Sequence, residues 1–186
     1  MPLLEIEQMP LVAGLSVPGQ FYAVLREPAL LAGMALPGRT TPWDRLHDAG
    51  FRHVVCLTGS PAHYDPHPLK MLHATFLQDL VGGNDPDDPA GEAKLIQSAV
   101  TAALGRLAAK EGVAVHCMGG TGRTGTVLGC TLLPLGYRGP DIVAYLHRLN
   151  QARGRHGWPE APWQAAQVLA FPASGEPCCV NLTAPN

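Results

Sequence analysis

The stretch Gly112-Val113-Ala114-Val115-His116-Cys117 runs directly into Met118-Gly119-Gly120-Thr121-Gly122-Arg123-Thr124, and an apolar helical pattern, TVLGCTLLPLGY, follows from Thr126 to Tyr137. Read outward from Cys117, the order is buried strand, tight glycine-rich turn, helix. A nucleophile that attacks phosphorus needs to be anionic near neutral pH, with a seat for three equatorial oxygens and positive charge on the transferring group. This loop can supply all three. Gly119, Gly120 and Gly122 allow the backbone to curl so that successive N–H groups converge on an anion, with Met118 and Thr121 completing the cradle. The helix that opens around Arg123 points its positive end into the same hollow and favours an anion on Cys117. Arg123, six positions after the cysteine, can return its planar fork to the rim, and Thr124 brings a hydroxyl beside the sulfur. His116, adjacent to the nucleophile in a strand, projects to the other side and is expected to orient the loop, not to act as acid or base.

Rival readings fail on particular residues. Gly120, Gly122 and Gly125 spell GxGxxG, but the Rossmann reading needs a second strand ending in an acidic residue, and the chain continues as helix, Gly-Pro turn and helix. A P-loop NTPase needs lysine where Thr126 follows Gly125. A small buried cysteine at a strand end is common. It does not explain His116, three glycines, Arg123 and Thr124 in this order.

Strands and helices alternate along the rest of the chain. Two apolar runs between residues 21 and 36 read as strands or a hairpin, HVVCLTG (53–59) as a strand buried on both faces, and LHATFLQDL (72–80) as another. Thr41 before Pro42 marks a short helix closing at Gly50. Asp88 and Pro89 cap a longer helix in which Leu95, Ile96, Ala99, Val100, Ala103, Leu104 and Leu107 recur at helical steps and which Gly112 ends. Two more helices are predicted from Pro140 to about Arg153 and from Pro162 to about Ala170. The pattern predicts an α/β fold with a central, mostly parallel sheet flanked by helices. Residues 1–20 read as an N-terminal extension, 21–171 as one catalytic domain and 172–186 as a poorly ordered tail.

With 186 residues the chain has room for one substantial core. The 13 basic and 15 acidic side chains leave a net charge of −2, so there is no global field for nucleic acid or anionic membranes, and phosphate binding must be local. Apolar runs are too short to span a bilayer, and Glu5 and Glu7 stand where a secretion signal would be basic, which predicts a cytoplasmic protein. Five cysteines without a CxxC spacing argue against both a disulfide framework and a zinc site. His63 and His67 stand among Pro61, Pro66 and Pro68 and cannot share a helical face, so that segment reads as a solvated loop, and no metal or cofactor is expected. Abundant Arg, Ala, Gly and Pro suit a GC-rich bacterial genome. Oligomeric state is not legible.

HCMGGTGRTG matches the HCxxxxxR[ST] signature of the protein tyrosine phosphatase superfamily, and from about Leu31 to Phe171 the chain resembles its small dual-specificity-type members. The resemblance implies hydrolysis of phosphomonoesters through a phosphocysteine on Cys117, without metal. Phosphotyrosine or phosphoserine/threonine on proteins is the leading substrate class, and nucleotides, RNA 5'-phosphates, phosphoinositides or inositol phosphates are the alternative. It also implies an aspartate general acid upstream, acting as base in the second step. Asp79 follows a strand-like run and precedes Gly82-Gly83, like the family's DGG, whereas Asp85 or Asp87 better fit the usual spacing to the cysteine. RGRHGWPEAPWQ resembles the family's later RpgaieTpeQ segment, aligning Arg155 with its arginine and Gln164 with the glutamine that helps place the hydrolytic water, although Ala161 replaces the threonine. Arg148, Arg153 and Arg155 are candidates to flank the pocket. Cys56 is either core or a redox partner for Cys117. A phosphate-binding module without turnover and a sulfurtransferase are the remaining classes, disfavoured by the intact Cys117, Arg123 and Thr124.

Overall fold

The computed structural model describes residues 3–60 and 64–172. Five strands form one sheet in the order β1-β2-β5-β3-β4: β1 Phe21–Leu25, β2 Leu31–Met34, β3 Phe51–Cys56, β4 Lys70–Ala74 and β5 Gly112–His116. The β1–β2 hairpin is antiparallel, and β2, β5, β3 and β4 run parallel to one another. The expected α/β fold with its mostly parallel sheet is therefore present. Strands β5 and β3 lie inside the sheet, and their contiguous apolar residues are buried, as strands covered on both faces require.

The helices are α1 Trp43–Asp48, α2 Pro89–Ala108, α3 Gly122–Leu132, α4 Gly139–Ala152 and α5 Pro162–Ala170. Helix α2 lays Ile96, Ala99, Val100, Ala103 and Leu107 on β3, β4, β5 and α3. Every residue of α3 is buried, because α2, α4 and α5 surround it above β2 and β5. Such a helix has no polar face to spare. Residues ahead of β1 also reach the core: Leu4, Met9 and Val12 are buried, and Leu4 N–H donates to Val24 O at 3.1 Å.

Several boundaries differ from expectation for identifiable reasons. Thr41 does not cap α1; its hydroxyl turns back to accept from Gly38 N–H at 2.9 Å, and the cap position falls on Pro42. Gly112 opens β5, and the turn out of α2 is made by Lys110 at φ 59°. Leu95 and Leu104 stand outside the buried stripe of α2. Strand β4 stops at Ala74 because β3, its only partner among the described residues, ends at Cys56; beyond it an isolated bridge joins Thr58 to Phe76. His63 and the tail 173–186 lie outside the described residues.

Candidate active site

The central strand β5 delivers Cys117 to the carboxyl end of the sheet, and α3 starts five residues later at Gly122. A ligand crevice commonly forms there in open α/β sheets. Cys117 is buried, and so are Thr121, Gly122, Arg123 and Thr124, while the Met118 side chain stands at the mouth, exposed. His116 is fully buried. Its Nδ1 donates to Cys117 O at 3.3 Å and its Nε2 accepts from the Tyr64 hydroxyl. Burial pushes His116 down to about 4, so the ring is neutral and serves to fix the strand end.

The carbonyls of the loop are all engaged from outside. Met118 O accepts from Leu36 N–H (2.9 Å), Gly119 O from Arg153 Nη2 (3.2 Å), and Gly120 O from both Arg153 Nη1 (2.8 Å) and the Tyr22 hydroxyl (2.7 Å). Thr121 O accepts from Gly125 N–H (2.8 Å), and Gly122 O from Thr126 Oγ1 (2.9 Å) and Trp158 Nε1 (3.2 Å). The backbone N–H groups of residues 118–121 and 123 donate to no protein acceptor among the described residues, and that of Gly122 faces the Glu160 carboxylate. Turning every carbonyl outward leaves those N–H groups for an anion.

Arg153 is the centre of this outer shell. Its guanidinium is buried, donates also to Pro18 O (3.0 Å), Gly19 O (3.2 Å) and Asn150 Oδ1 (2.5 Å), and lies 4.1 Å from the Tyr22 ring centroid. Burial pulls the arginine down and pushes the Tyr22 phenol up, so the phenol keeps the proton it gives to Gly120. From sequence Arg153 was a candidate to flank the pocket; it holds the loop from behind instead. Arg148 is exposed in a separate cleft with Leu4, Glu5 and Tyr145. Arg155 is exposed beside the loop.

The loop glycines have different reasons. Gly120 has φ +68°, and a Cβ there would stand 2.6 Å from the Met34 carbonyl. Gly122 leaves room for the Glu160 carboxylate, whose Oε2 lies 1.8 Å from where a Cβ would be. Gly119 meets no such neighbour.

Arg123 Nη2 pairs with Asp79 Oδ2 at 2.7 Å, and its Nη1 donates to Leu77 O at 3.3 Å. Asp79 is 48% exposed, and its other oxygen accepts from Val81 N–H. The long segment after Asp79 is an excursion closed at its base, where Gln78 Oε1 accepts from Asp87 N–H (2.9 Å) and Glu92 Oε1 from Gln78 N–H (2.9 Å). Asp85 and Asp87 are exposed on that excursion, and Asp88 caps α2 through Gly91 N–H. The closed excursion accounts for the unusual spacing to Cys117.

Glu160 is a site residue that the sequence reading missed. Burial first, and the Asp79 carboxylate second, hold its carboxyl above the usual range, against the pull of Arg123, the Gly122 N–H and Arg155. Gln164 is buried, and its amide oxygen accepts from Glu160 N–H (2.8 Å) and Ala161 N–H (3.3 Å), standing in for the cap that Ala161 lacks. Its amide nitrogen is the end near Gly122. The Thr124 hydroxyl is buried without a partner among the described residues. Cys56 pairs in register with His116, and its sulfur contacts the Thr58 hydroxyl at 3.3 Å.

No helix among the described residues is long and apolar enough to cross a membrane. Several solved structures share the fold. PTPMT1 in complex with PI(5)P superposes with a TM-score of 0.57 at 16% identity, over 76% of this chain and 88% of that one. P. aeruginosa TpbA in complex with pTyr gives 0.56 at 16%, over 86% and 89%, and Tk-PTP in its active form 0.53 at 22%, over 83% and 95%. Residues 23–160 match the family model described as PTP-SAK: Swiss Army Knife protein, DSP-PTPase phosphatase domain. With cysteine, glycine-rich loop and arginine assembled at the end of a mostly parallel sheet, and residues 23–160 matched, the chain belongs to that family of dual-specificity-type phosphatase domains.

Proposed function

We propose that the protein hydrolyses phosphomonoesters through a phosphocysteine intermediate on Cys117. The observation that carries this reading is the loop 117–123, whose carbonyls are bonded outward and whose N–H groups are left for an anion around a buried cysteine. Cys117 Sγ attacks phosphorus, the loop N–H groups and Arg123 hold the three equatorial oxygens, and the ester bond breaks opposite the sulfur. Asp79 gives its proton to the departing oxygen. Its contact with Arg123 supports this choice over Asp85 and Asp87. In the second step water attacks phosphorus, Asp79 takes up its proton, and the sulfur leaves as thiolate beside the Thr124 hydroxyl. Gln164 contributes by holding the segment that faces Gly122.

Phosphotyrosine or phosphoserine/threonine on proteins is the substrate class that family membership favours, in a cytoplasmic setting where buried thiols such as Cys56 and Cys130 stay reduced. A small non-protein phosphomonoester is the second reading, favoured by Arg155, which stands exposed beside the loop without an ion-pair partner among the described residues. The test is hydrolysis of an aryl phosphate in the presence of a chelator, with Cys117→Ser in parallel. Turnover that vanishes in the variant is expected. No turnover, or turnover surviving the substitution, overturns the reading.

A further inference from the structure

The hydrolytic steps give no part to Glu160, yet its carboxylate reaches the phosphate loop itself. The segment 158–164 is tied to Gly122 and closed on itself. Trp158 Nε1 donates to Gly122 O at 3.2 Å, and the buried Gln164 accepts from Glu160 N–H at 2.8 Å and from Ala161 N–H at 3.3 Å, which fixes the backbone that carries the glutamate. The Glu160 carboxylate then lies in the space that a Cβ on Gly122 would fill, with the Gln164 amide nitrogen close by, and faces the Gly122 N–H. That N–H is one of the cradle's own. No cation pairs with this carboxylate among the described residues: Arg123 is taken by Asp79, and Arg153 by oxygen acceptors behind the loop. Asp79 from the excursion, Arg123 from the start of α3, Arg155 from its own segment, and Tyr22 and Arg153 behind the loop feel its charge, while His147 and His156 line the cleft onto which it opens. Burial first and Asp79 second hold its carboxyl above the usual range, so it takes a proton more readily than an exposed glutamate does.

We propose that Glu160 gates the cradle: its carboxylate and a tetrahedral anion compete for the Gly122 N–H, and the anion enters with uptake of one proton by Glu160. The proton comes from solvent through the cleft that Glu160 lines with Gly119 and Thr121. The neutral carboxyl that results is a donor, and its O–H can meet an oxygen of the anion. Linkage makes the effect reciprocal: the factor by which the anion strengthens the carboxyl's hold on its proton is the factor by which that proton strengthens anion binding. A like charge within about 4–6 Å shifts an ionisation by about one unit or more, which is about tenfold or more in affinity. Binding is therefore tight while Glu160 carries its proton and weakens as pH rises through its titration. Glu160 sets which charge state of the site accepts a phosphoryl group, and Asp79 keeps the proton transfer to the leaving oxygen.

The gate rests on the reading of loop 117–123 as a phosphate cradle, and sulfate binding tells the two apart. Sulfate keeps both charges over the range of interest, whereas a phosphate ester titrates near about 6. Cys117→Ser removes the thiolate from the measurement. Sulfate affinity is measured by calorimetry in that variant, with Glu160 intact and as Glu160→Gln, from about pH 5, above the point where His116 takes its proton, to about pH 8. With Glu160 intact, affinity is expected to fall by about 10- to 100-fold across the range, and binding within it to take up as much as one proton. In Glu160→Gln the affinity is expected to stay at the tight level, with little proton uptake. Glu160→Ala is expected to match Glu160→Gln, Asp85→Asn to match the parent, and urea midpoints separate a folding loss from a change in binding. An equal fall in both proteins assigns the dependence to His147 or His156 and overturns the gate, as does weaker binding in Glu160→Gln and Glu160→Ala at the upper end. Sulfate bound only without the carboxylate supports cradle and gate together, and sulfate bound by neither protein overturns both. If the wild type turns over no aryl phosphate while these affinities hold, the phosphatase reading falls and the gate stands.

Discussion

The two sides of the candidate active site are built to different standards. The cradle is buried, and each carbonyl from Met118 to Gly122 meets a donor from another part of the chain or from the first turn of α3. The side of the proposed acid is thin. Asp79 is half exposed, Val81 beyond it protrudes, and the excursion to Asp87 hangs on Gln78 and on the Asp79–Arg123 pair. Charge stabilisation works best from groups that do not reorganise, whereas proton delivery to different leaving groups tolerates a segment of low local stability. On the proposed mechanism, the difference gives rigidity to phosphate binding and adaptability to proton transfer.

The most direct way to break this contrast is at Asp79. Asp79→Asn is expected to lower kcat on an alkyl phosphate by about 10²- to 10⁴-fold, with a much smaller loss on an aryl phosphate whose leaving group needs little protonation. Its half-exposed ion pair contributes under about 1 kcal/mol, so the urea midpoint should barely move. A large stability loss with unchanged kcat would reverse the roles assigned to the two sides. Arg153→Ala attacks the cradle instead, removing a buried cation that five oxygen acceptors share; unfolding free energy should fall by about 3–5 kcal/mol, along with phosphate affinity. Equal stability in that variant would show that the outer shell is dispensable.

His116 sharpens the comparison through pH. The unfolded chain takes up a proton near the ordinary histidine value, about 6.5, whereas the buried ring waits until about 4. Stability is therefore lost as pH falls between those values, by up to roughly 3 kcal/mol, and this contribution is constant above them. Chemical denaturation of wild type and His116→Asn across that window measures it, and a parallel pH dependence in the variant would assign the loss elsewhere. The smallest expected effect is at Tyr22. Tyr22→Phe leaves Gly120 O its bond from Arg153, so a loss of about 1 kcal/mol is expected in the same measurement.

The two sides also differed in how far they could be read in advance. Cys117, its glycines and Arg123 are consecutive or nearly so, and a strand-turn-helix pattern brings them together by local geometry alone. Asp79 could be put forward only beside Asp85 and Asp87, because what favours it is an ion pair across 44 positions. Arg153 and Tyr22 carried no local signal, since a buried arginine and an exposed one look alike in sequence and only tertiary contacts separate them. The strands were legible where both faces are covered, in β3 and β5, and misjudged at the edge, where β4 ends with its partner. Glu160 sits in a segment read for its glutamine, and the glycine that admits its carboxylate lies 38 positions earlier.

The Arg153 guanidinium bonds at once to Gly119 and Gly120 and to Pro18, 135 positions before it. Contacts of such long range are closed late, because the chain entropy they cost must be met before they stabilise anything. During synthesis the proposed nucleophile and its whole glycine turn are therefore made before the residue that braces them. A chain truncated before position 153 would hold Cys117 in an unbraced loop, so anion binding should arrive only with the end of α4, although all five strands end by His116.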